Sequence, residues 1–213
     1  MIYYSLIDGD PRVTPLRLRP RTCFLMTQLG SPVPPAVVEI RSALEEVLRE
    51  QSYTLIDSDS SVTGRDFLLK IWEFIIAVPI GIAIVHEDMR PGTIANIFYE
   101  LGLMQAYGKE TLIIKTPGAS IPSDFVRTEY VQYGADFEPR LQRYLASLRE
   151  RATYYATVAE QIDRNPLLAI DFLRRAYLLT SEARLRGRAR ELFAHARIRG
   201  RAKNSVETLL VNF

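Results

Sequence analysis

Short apolar runs alternate with segments of helical periodicity from residue 21 to residue 115 of this sequence. The runs are predicted strands, and they lie at Arg21–Gln28, Tyr53–Asp57, Gly81–His86 and Thr111–Lys115. Between them, apolar residues recur at three- and four-residue spacing, as in helices that bury one face. The run at Gly81–His86 is nearly continuous, which is typical of a parallel strand buried on both sides. This alternation with short joins predicts a three-layer α/β domain built on a parallel sheet.

The helices of this domain are predicted between successive strands. Apolar spacing places them at 36–51, 66–78 and 94–107. Asp66 is expected to cap the start of the second helix, and Gly108 to end the third. We expect Tyr130–Tyr133 to add one more short strand at an edge of the sheet.

The chain changes character after residue 137. Residues 1–20, with three prolines, indicate an extended lead-in with a short strand at Ile2–Ile7, and residues 21–137 form the predicted α/β domain. From residue 138 to residue 213 the pattern is helical alone. The helices expected in this last part lie at 141–163, 168–184 and 188–197.

Charge divides the chain in the same way. Residues 1–138 hold 12 Lys/Arg and 18 Asp/Glu, whereas residues 139–213 hold 15 and 7. A basic helical region can bind nucleic acid, expose solvated helix faces, or dock on the acidic first part. No basic motif interleaved with aromatic residues accompanies the charge, so nucleic acid is not the expected partner.

Cysteine and histidine are too scarce for a disulfide or a histidine-based metal centre. Cys23 is the single cysteine, and His86 and His195 are the two histidines. The acidic loop 57–61 lacks the spacing of a calcium loop, so no metal is assigned. The longest apolar run, Phe74–Val85, is shorter than the roughly 20 residues that span a bilayer. Because the N-terminus also lacks a secretory pattern, we expect a cytoplasmic protein that does not contact membranes.

One carboxylate, Glu100, lies inside an otherwise apolar predicted helix. Asn96 is four residues earlier and stacks on the same face, with Tyr99 beside them. A lone glutamate on a helix most often points to solvent. This helix, however, follows the strand Gly81–His86, and ligands of parallel α/β domains bind at the carboxyl ends of strands. Its position makes Glu100 the candidate centre of a binding cleft.

The segment Asn96–Gly102, followed by Gly108-Lys109 and the apolar run Leu112–Ile114, resembles a known superfamily. That superfamily joins TIR-like domains to nucleoside 2-deoxyribosyltransferase-like domains. Its members commonly carry an Asn-x-x-Tyr-Glu-Leu-Gly signature, then Gly-Lys before an apolar strand. The resemblance covers about residues 21–135. It implies a three-layer flavodoxin-like (TIR-like) α/β fold, with the basic helices as a C-terminal extension.

The resemblance also implies a chemistry for Glu100. The matching glutamate of the superfamily is catalytic and acts at the anomeric carbon of a nucleoside, or of the ribose joined to nicotinamide. The implied reaction cleaves the N-glycosidic bond of NAD or a related nucleoside, with NAD as a substrate and no cofactor. A carboxylate can stabilise the sugar cation that develops, or add to its carbon as a nucleophile. The candidates for contacting the substrate are Asn96, Tyr99, Asp66, His86 and Asp88.

Two functions therefore stay open. The first is an enzyme, either an N-glycosidase or a nucleoside deoxyribosyltransferase-like protein, that serves in bacterial defence signalling and is switched on by self-assembly or by an activating protein partner. The second is a non-catalytic nucleotide-binding sensor or scaffold. The turn after the first strand, Met26–Gly30, departs from the Ala-x-Pro-Phe pattern of the transferases and from the Ser-containing turn of TIR domains. Ribose or phosphate contacts are therefore not assigned to that turn.

Overall fold

The computed structural model describes residues 16–58, 67–125, 127–162 and 164–196, with positions 200, 203, 206, 207, 210 and 213. Its strands are β1 (Thr22–Met26), β2 (Thr54–Ile56), β3 (Ile80–Val85), β4 (Glu110–Lys115) and β5 (Tyr130–Gln132). Its helices are α1 (Pro35–Glu50), α2 (Phe67–Ala77), α3 (Pro91–Ala106), α4 (Phe137–Gln161), α5 (Pro166–Thr180) and α6 (Ala183–His195). A single 3₁₀ turn is described, at Ser123–Phe125. Among the described helices, none has both the length and the apolar character needed to cross a membrane.

The strands form one parallel sheet in the order β2-β1-β3-β4-β5. The connection from β1 to β2 runs toward one edge of the sheet, whereas the connections from β2 to β3 and from β3 to β4 run toward the other edge. Right-handed crossovers therefore place α1 on one face of the sheet and both α2 and α3 on the opposite face. The contacts agree, since α1 packs against α4 and α2 packs against α3. This confirms the predicted three-layer flavodoxin-like α/β fold.

The strand positions agree with the sequence pattern to within two residues, whereas several helix boundaries differ by three to five residues. α3 begins at Pro91 instead of residue 94, and α4 begins at Phe137 instead of residue 141. The expected join between the last two helices is also wrong. A single helix was expected over 168–184 and the next from residue 188. In the structure α5 ends at Thr180, and Ser181 adopts a left-handed conformation with φ of 64°. The hydroxyl of Thr180 then accepts the N–H of Glu182 at 3.3 Å, which redirects the chain into α6. The expected strand at Ile2–Ile7 and the cap at Asp66 lie outside the described residues.

Close packing brings α3 down onto β3. A Cβ on Gly81 would come within 2.9 Å of both the Met104 and the Met26 methyl carbons, so glycine is what lets the helix approach this strand. On the same side of the sheet, the ring of Phe24 in β1 packs against Phe74 of α2 with centroids 5.7 Å apart. These four elements belong to one apolar core that also includes residues of the C-terminal helices.

A buried ionic cluster joins α5 to the sheet domain. Asp171, only 4% exposed, accepts hydrogen bonds from Arg174 at 3.0 Å and from Arg175 at 3.1 Å. Burial alone would raise the pKa of Asp171, but the two guanidinium groups hold it below its usual value. Lys109, which precedes β4, lies beside this cluster and donates to the carbonyl of Ile76 at 2.7 Å. Burial, followed by the charge of Arg174, lowers the pKa of Lys109 well below its usual value.

Replacing Asp171 by Asn leaves these buried cations without their counter-charge. We expect Asp171→Asn to lower the free energy of unfolding at pH 7 by roughly 3–5 kcal/mol. Because the folded-state pKa of Asp171 is depressed, its contribution is present above the unfolded value of 3.8 and is lost as the pH falls. Urea denaturation at pH 7 and at about pH 2.5 should therefore show a smaller difference between the variant and the native chain at the lower pH. Exposed Glu150→Gln is the control, and an equal effect of both substitutions would contradict this role.

Candidate functional site

Glu100 faces the valley between α3 and α2. It lies seven positions before Tyr107, which places the two residues on the same side of the helix. The hydroxyl of Tyr107 accepts a hydrogen bond from Nε1 of Trp72 in α2, at 3.1 Å. The side of α3 that carries Glu100 is therefore turned toward α2, above β1 and β3.

The position of Glu100 along the direction of the strands follows from the close approach of Met104 to Gly81. Glu100 is one helical turn nearer the start of α3, about 6 Å along the helix. That distance equals about two strand residues, so Glu100 is level with Ala83 rather than with Val85, where β3 ends. Helical side chains lean toward the N-terminus of their helix, which here is the carboxyl edge of the sheet. Glu100 therefore lies slightly below that edge and leans toward it.

The carboxyl group of Glu100 is held in an apolar setting. The residue is half-buried, and among the described residues it has no hydrogen bond or ion pair. Burial raises its pKa from 4.5 to about 7. A buried carboxylate that is neither paired nor hydrogen-bonded costs stability, and groups with such shifts concentrate at functional sites. At neutral pH the charged and the neutral form of this carboxyl are therefore both populated.

Asn96 and Tyr99 lie near Glu100 on the outer part of α3. Asn96 is exposed and sits one turn closer to the carboxyl edge, on the same side of the helix as Glu100. Tyr99 is 60% exposed, and its hydroxyl has no bond to another described residue. Both side chains are free to meet a ligand that enters the valley from this edge.

The loop after β3 holds the other predicted residues. His86 is buried, and its Nδ1 accepts the backbone N–H of Asp88 at 3.0 Å. The Asp88 carboxylate is exposed and lies 3.8 Å from the same ring nitrogen. His86 thus shapes the loop through Nδ1. In the described part of the chain, no hydrogen bond or ion pair links this loop to Asn96, Tyr99 or Glu100.

A pair that sequence reasoning missed joins the loops after β3 and β4. The hydroxyl of Thr116 donates to the Glu87 carboxylate, and this bond lowers the pKa of Glu87. Gly118 leaves room for the Glu87 side chain, since a Cβ at position 118 would lie 2.8 Å from the Glu87 carboxyl carbon. Lys115 donates to the carbonyl of Ala119 at 2.8 Å. This edge of the cleft is therefore tied together by its own side chains.

The end of β1 carries polar atoms with no partner. Gln28 is 8% exposed, and its amide nitrogen closes the following turn by donating to the carbonyls of Pro32 at 2.6 Å and Gly30 at 3.2 Å. The side-chain oxygens of Gln28 and Thr27 are buried, and neither has a hydrogen-bond partner within the described part of the chain. The sequence signal that could have found these two side chains is their position, since Thr27 and Gln28 directly follow the buried strand β1. Asp66 lies outside the described residues, and within those residues no three ligating side chains form a metal cluster.

The raised pKa of Glu100 predicts a pH-dependent stability. The folded state holds its proton up to about pH 7, the unfolded state only up to 4.5, so stability falls as the pH rises between these values. Glu100→Gln removes the charge and should be more stable than the native chain at pH 8 by roughly 1–3 kcal/mol. The two should agree at pH 4. Urea denaturation at both pH values checks this, and a constant difference would contradict it.

Comparisons with known proteins bear on the course of the backbone. No protein-family model matches the chain, and no curated protein matches it. Among solved structures, it is similar to the 2-deoxyribosyltransferase of the psychrotolerant bacterium Bacillus psychrosaccharolyticus, with a TM-score of 0.40 and 16% identity. The match covers 54% of this chain and 86% of the other. The strand order itself establishes the fold class, and similarity at this level leaves the activity to the residues of this chain.

Proposed function

We propose that this protein binds a nucleoside or nucleotide in the valley between α2 and α3 and cleaves its N-glycosidic bond. The observation that supports this best is the half-buried, unpaired carboxyl of Glu100, whose pKa burial raises to about 7. A group with that pKa exchanges its proton readily at neutral pH, which suits acid–base and nucleophilic work. NAD and related nucleosides are the proposed substrates.

The reaction needs a negative charge near the sugar. As the bond from the anomeric carbon to the base nitrogen breaks, its electron pair leaves with the base and the ribose becomes cationic. The ionised form of Glu100, poorly solvated in the folded protein, gains most when that cation forms beside it. Either the carboxylate bonds to the carbon and water later displaces it, or water adds directly. Both routes release the base and leave a hydroxyl from water on the anomeric carbon of the sugar. With NAD the products are nicotinamide and ADP-ribose.

The neighbours of Glu100 have matching roles in this proposal. Asn96 lies one turn nearer the edge, where its amide can hydrogen-bond ribose hydroxyls. The exposed ring of Tyr99 offers an apolar face to the base. The loop of His86 and Asp88 borders the same edge of the sheet and supplies a polar wall there.

A second function has its own observation. Glu100 lies about two residues below the end of β3, a depth at which a ligand can reach the valley without placing its anomeric carbon on the carboxylate. A nucleotide-binding sensor or scaffold would use the same cleft without turnover. A role in defence, with assembly or a protein partner as the activating signal, belongs to either proposal.

Turnover separates these two functions. The purified chain is incubated with NAD or with deoxynucleosides, and released nicotinamide or free base is measured by chromatography. We expect Glu100→Gln to reduce release by roughly 10²–10⁴-fold, because the neutral amide cannot stabilise the sugar cation. Glu39→Gln makes the same change at an exposed position of α1 and should keep full activity. Undiminished release by Glu100→Gln would refute the enzyme, and ligand binding without release would support the sensor.

The pH dependence of the rate follows from the same pKa. If the ionised carboxyl reacts, kcat/KM should rise with pH and level off above about 7, the pKa of Glu100 in the free protein. An initial-rate series from pH 5 to pH 9 measures this. A rate that is flat below about pH 7 would show that another group reacts.

A further inference from the structure

A second groove lies at the opposite edge of the sheet from Glu100. It encloses ≈ 400 Å³ between α4, the start of α6 and the turn that precedes β1. Arg21 of that turn donates its backbone N–H to the carbonyl of Leu178 near the end of α5, at 2.8 Å. Because Arg21 comes before β1, the groove belongs to the amino edge of the sheet. The volume is in the range that holds small-molecule ligands.

The α4 wall of this groove is made of small side chains. The residues of α4 that line it are Arg149, Ala152, Thr153, Ala156, Thr157 and Glu160. Their spacing of three and four places them along one stripe of the helix. Ala152 is buried, as is Leu185 on the α6 side, so the floor is apolar and the walls are polar. A stripe of alanine and threonine leaves the space that larger residues would fill.

Two arginines, Arg21 and Arg149, line this groove. Arg21 stacks over the ring of Tyr53, 4.3 Å from its centroid, and donates to the carbonyls of Ser52 and Gln51. Arg149 is exposed, and in the part of the chain that the structure describes its guanidinium has no hydrogen bond or ion pair.

The carboxylates that line the groove leave the end near Arg149 cationic. Glu182 is engaged with Arg184 at 2.5 Å. Glu160 is eleven residues from Arg149 on the same helix, which separates them by about 16 Å. Two arginines on one groove, with one of its lining carboxylates paired and the other distant from Arg149, favour a doubly charged anion that accepts several hydrogen bonds. The exposed Thr157 and Glu160 at the other end offer oxygen acceptors to hydroxyl groups.

We propose that this groove binds a small sugar phosphate, with the phosphate held by Arg21 and Arg149 and the sugar hydroxyls directed toward Thr157 and Glu160. The site is separate from the Glu100 valley and does not depend on catalysis there. A ligand bound here would contact the turn before β1 and two of the C-terminal helices at once. It would therefore stabilise the docking of those helices on the sheet domain.

Calorimetric titration at constant ionic strength tests this site with inorganic phosphate, ribose 5-phosphate and ribose as probes. We expect ribose 5-phosphate to bind at one site per chain more tightly than inorganic phosphate, and ribose not to bind. Arg149→Glu should weaken the binding of ribose 5-phosphate by at least about tenfold, since it replaces a charge-assisted contact by repulsion. Arg140→Glu is the matched control, because Arg140 is exposed on α4 nine positions earlier, on the opposite side of the helix.

Each other outcome overturns the proposal. Absence of binding by the native chain, or equal binding by Arg149→Glu and the native chain, removes the site. If ribose 5-phosphate binds no more tightly than inorganic phosphate, the groove does not recognise the sugar and the proposed ligand class is wrong. If a single-stranded oligonucleotide binds more tightly than ribose 5-phosphate and both variants weaken it equally, the basic surface as a whole is the binder. Circular dichroism confirms that each variant is folded, and Arg149→Ala repeats the test without a new charge.

Discussion

The structure depends on β3, a strand with no polar side chain on either side. Every residue from Ile80 to Val85 is buried, so this strand requires an apolar cover on both faces of the sheet. Its neighbours β1 and β4 pair with it along most of its length. The helices then follow from the crossovers, with α2 and α3 covering one face and α1 and α4 the other.

The character of Glu100 is a consequence of this cover. The packing of α3 against β3 and α2 leaves Glu100 half-buried. Water is thereby removed from part of the carboxyl, and no described partner replaces it, so its pKa rises. The proposed N-glycosidase and the proposed nucleotide sensor would both use this carboxyl, and they differ in whether the sugar carbon reaches it.

The C-terminal helices are bound to the sheet domain by charge as well as by apolar contact. Asp171 pairs with two arginines of α5, and Lys109, just before β4, lies half-buried beside them. The Gly-Lys pair that belongs to the family resemblance is thus part of a joint at the amino edge of the sheet. Its lysine donates to a backbone carbonyl of α2 and is remote from Glu100.

Local pattern was enough for the strands, the parallel sheet and the position of Glu100 one turn from Asn96, because the spacing of apolar residues reports which side of each element is buried. It failed at Ser181, where a left-handed residue ends α5 in a stretch that still looks helical. It also gave no sign of the Glu87–Thr116 bond or of the groove between Arg21 and Arg149, whose members lie far apart in the sequence. Only the tertiary structure decided the pKa of Glu100 and the placement of those two arginines on one groove. Both are set by desolvation and by distances between separate elements, and neither quantity is encoded in the spacing along the chain.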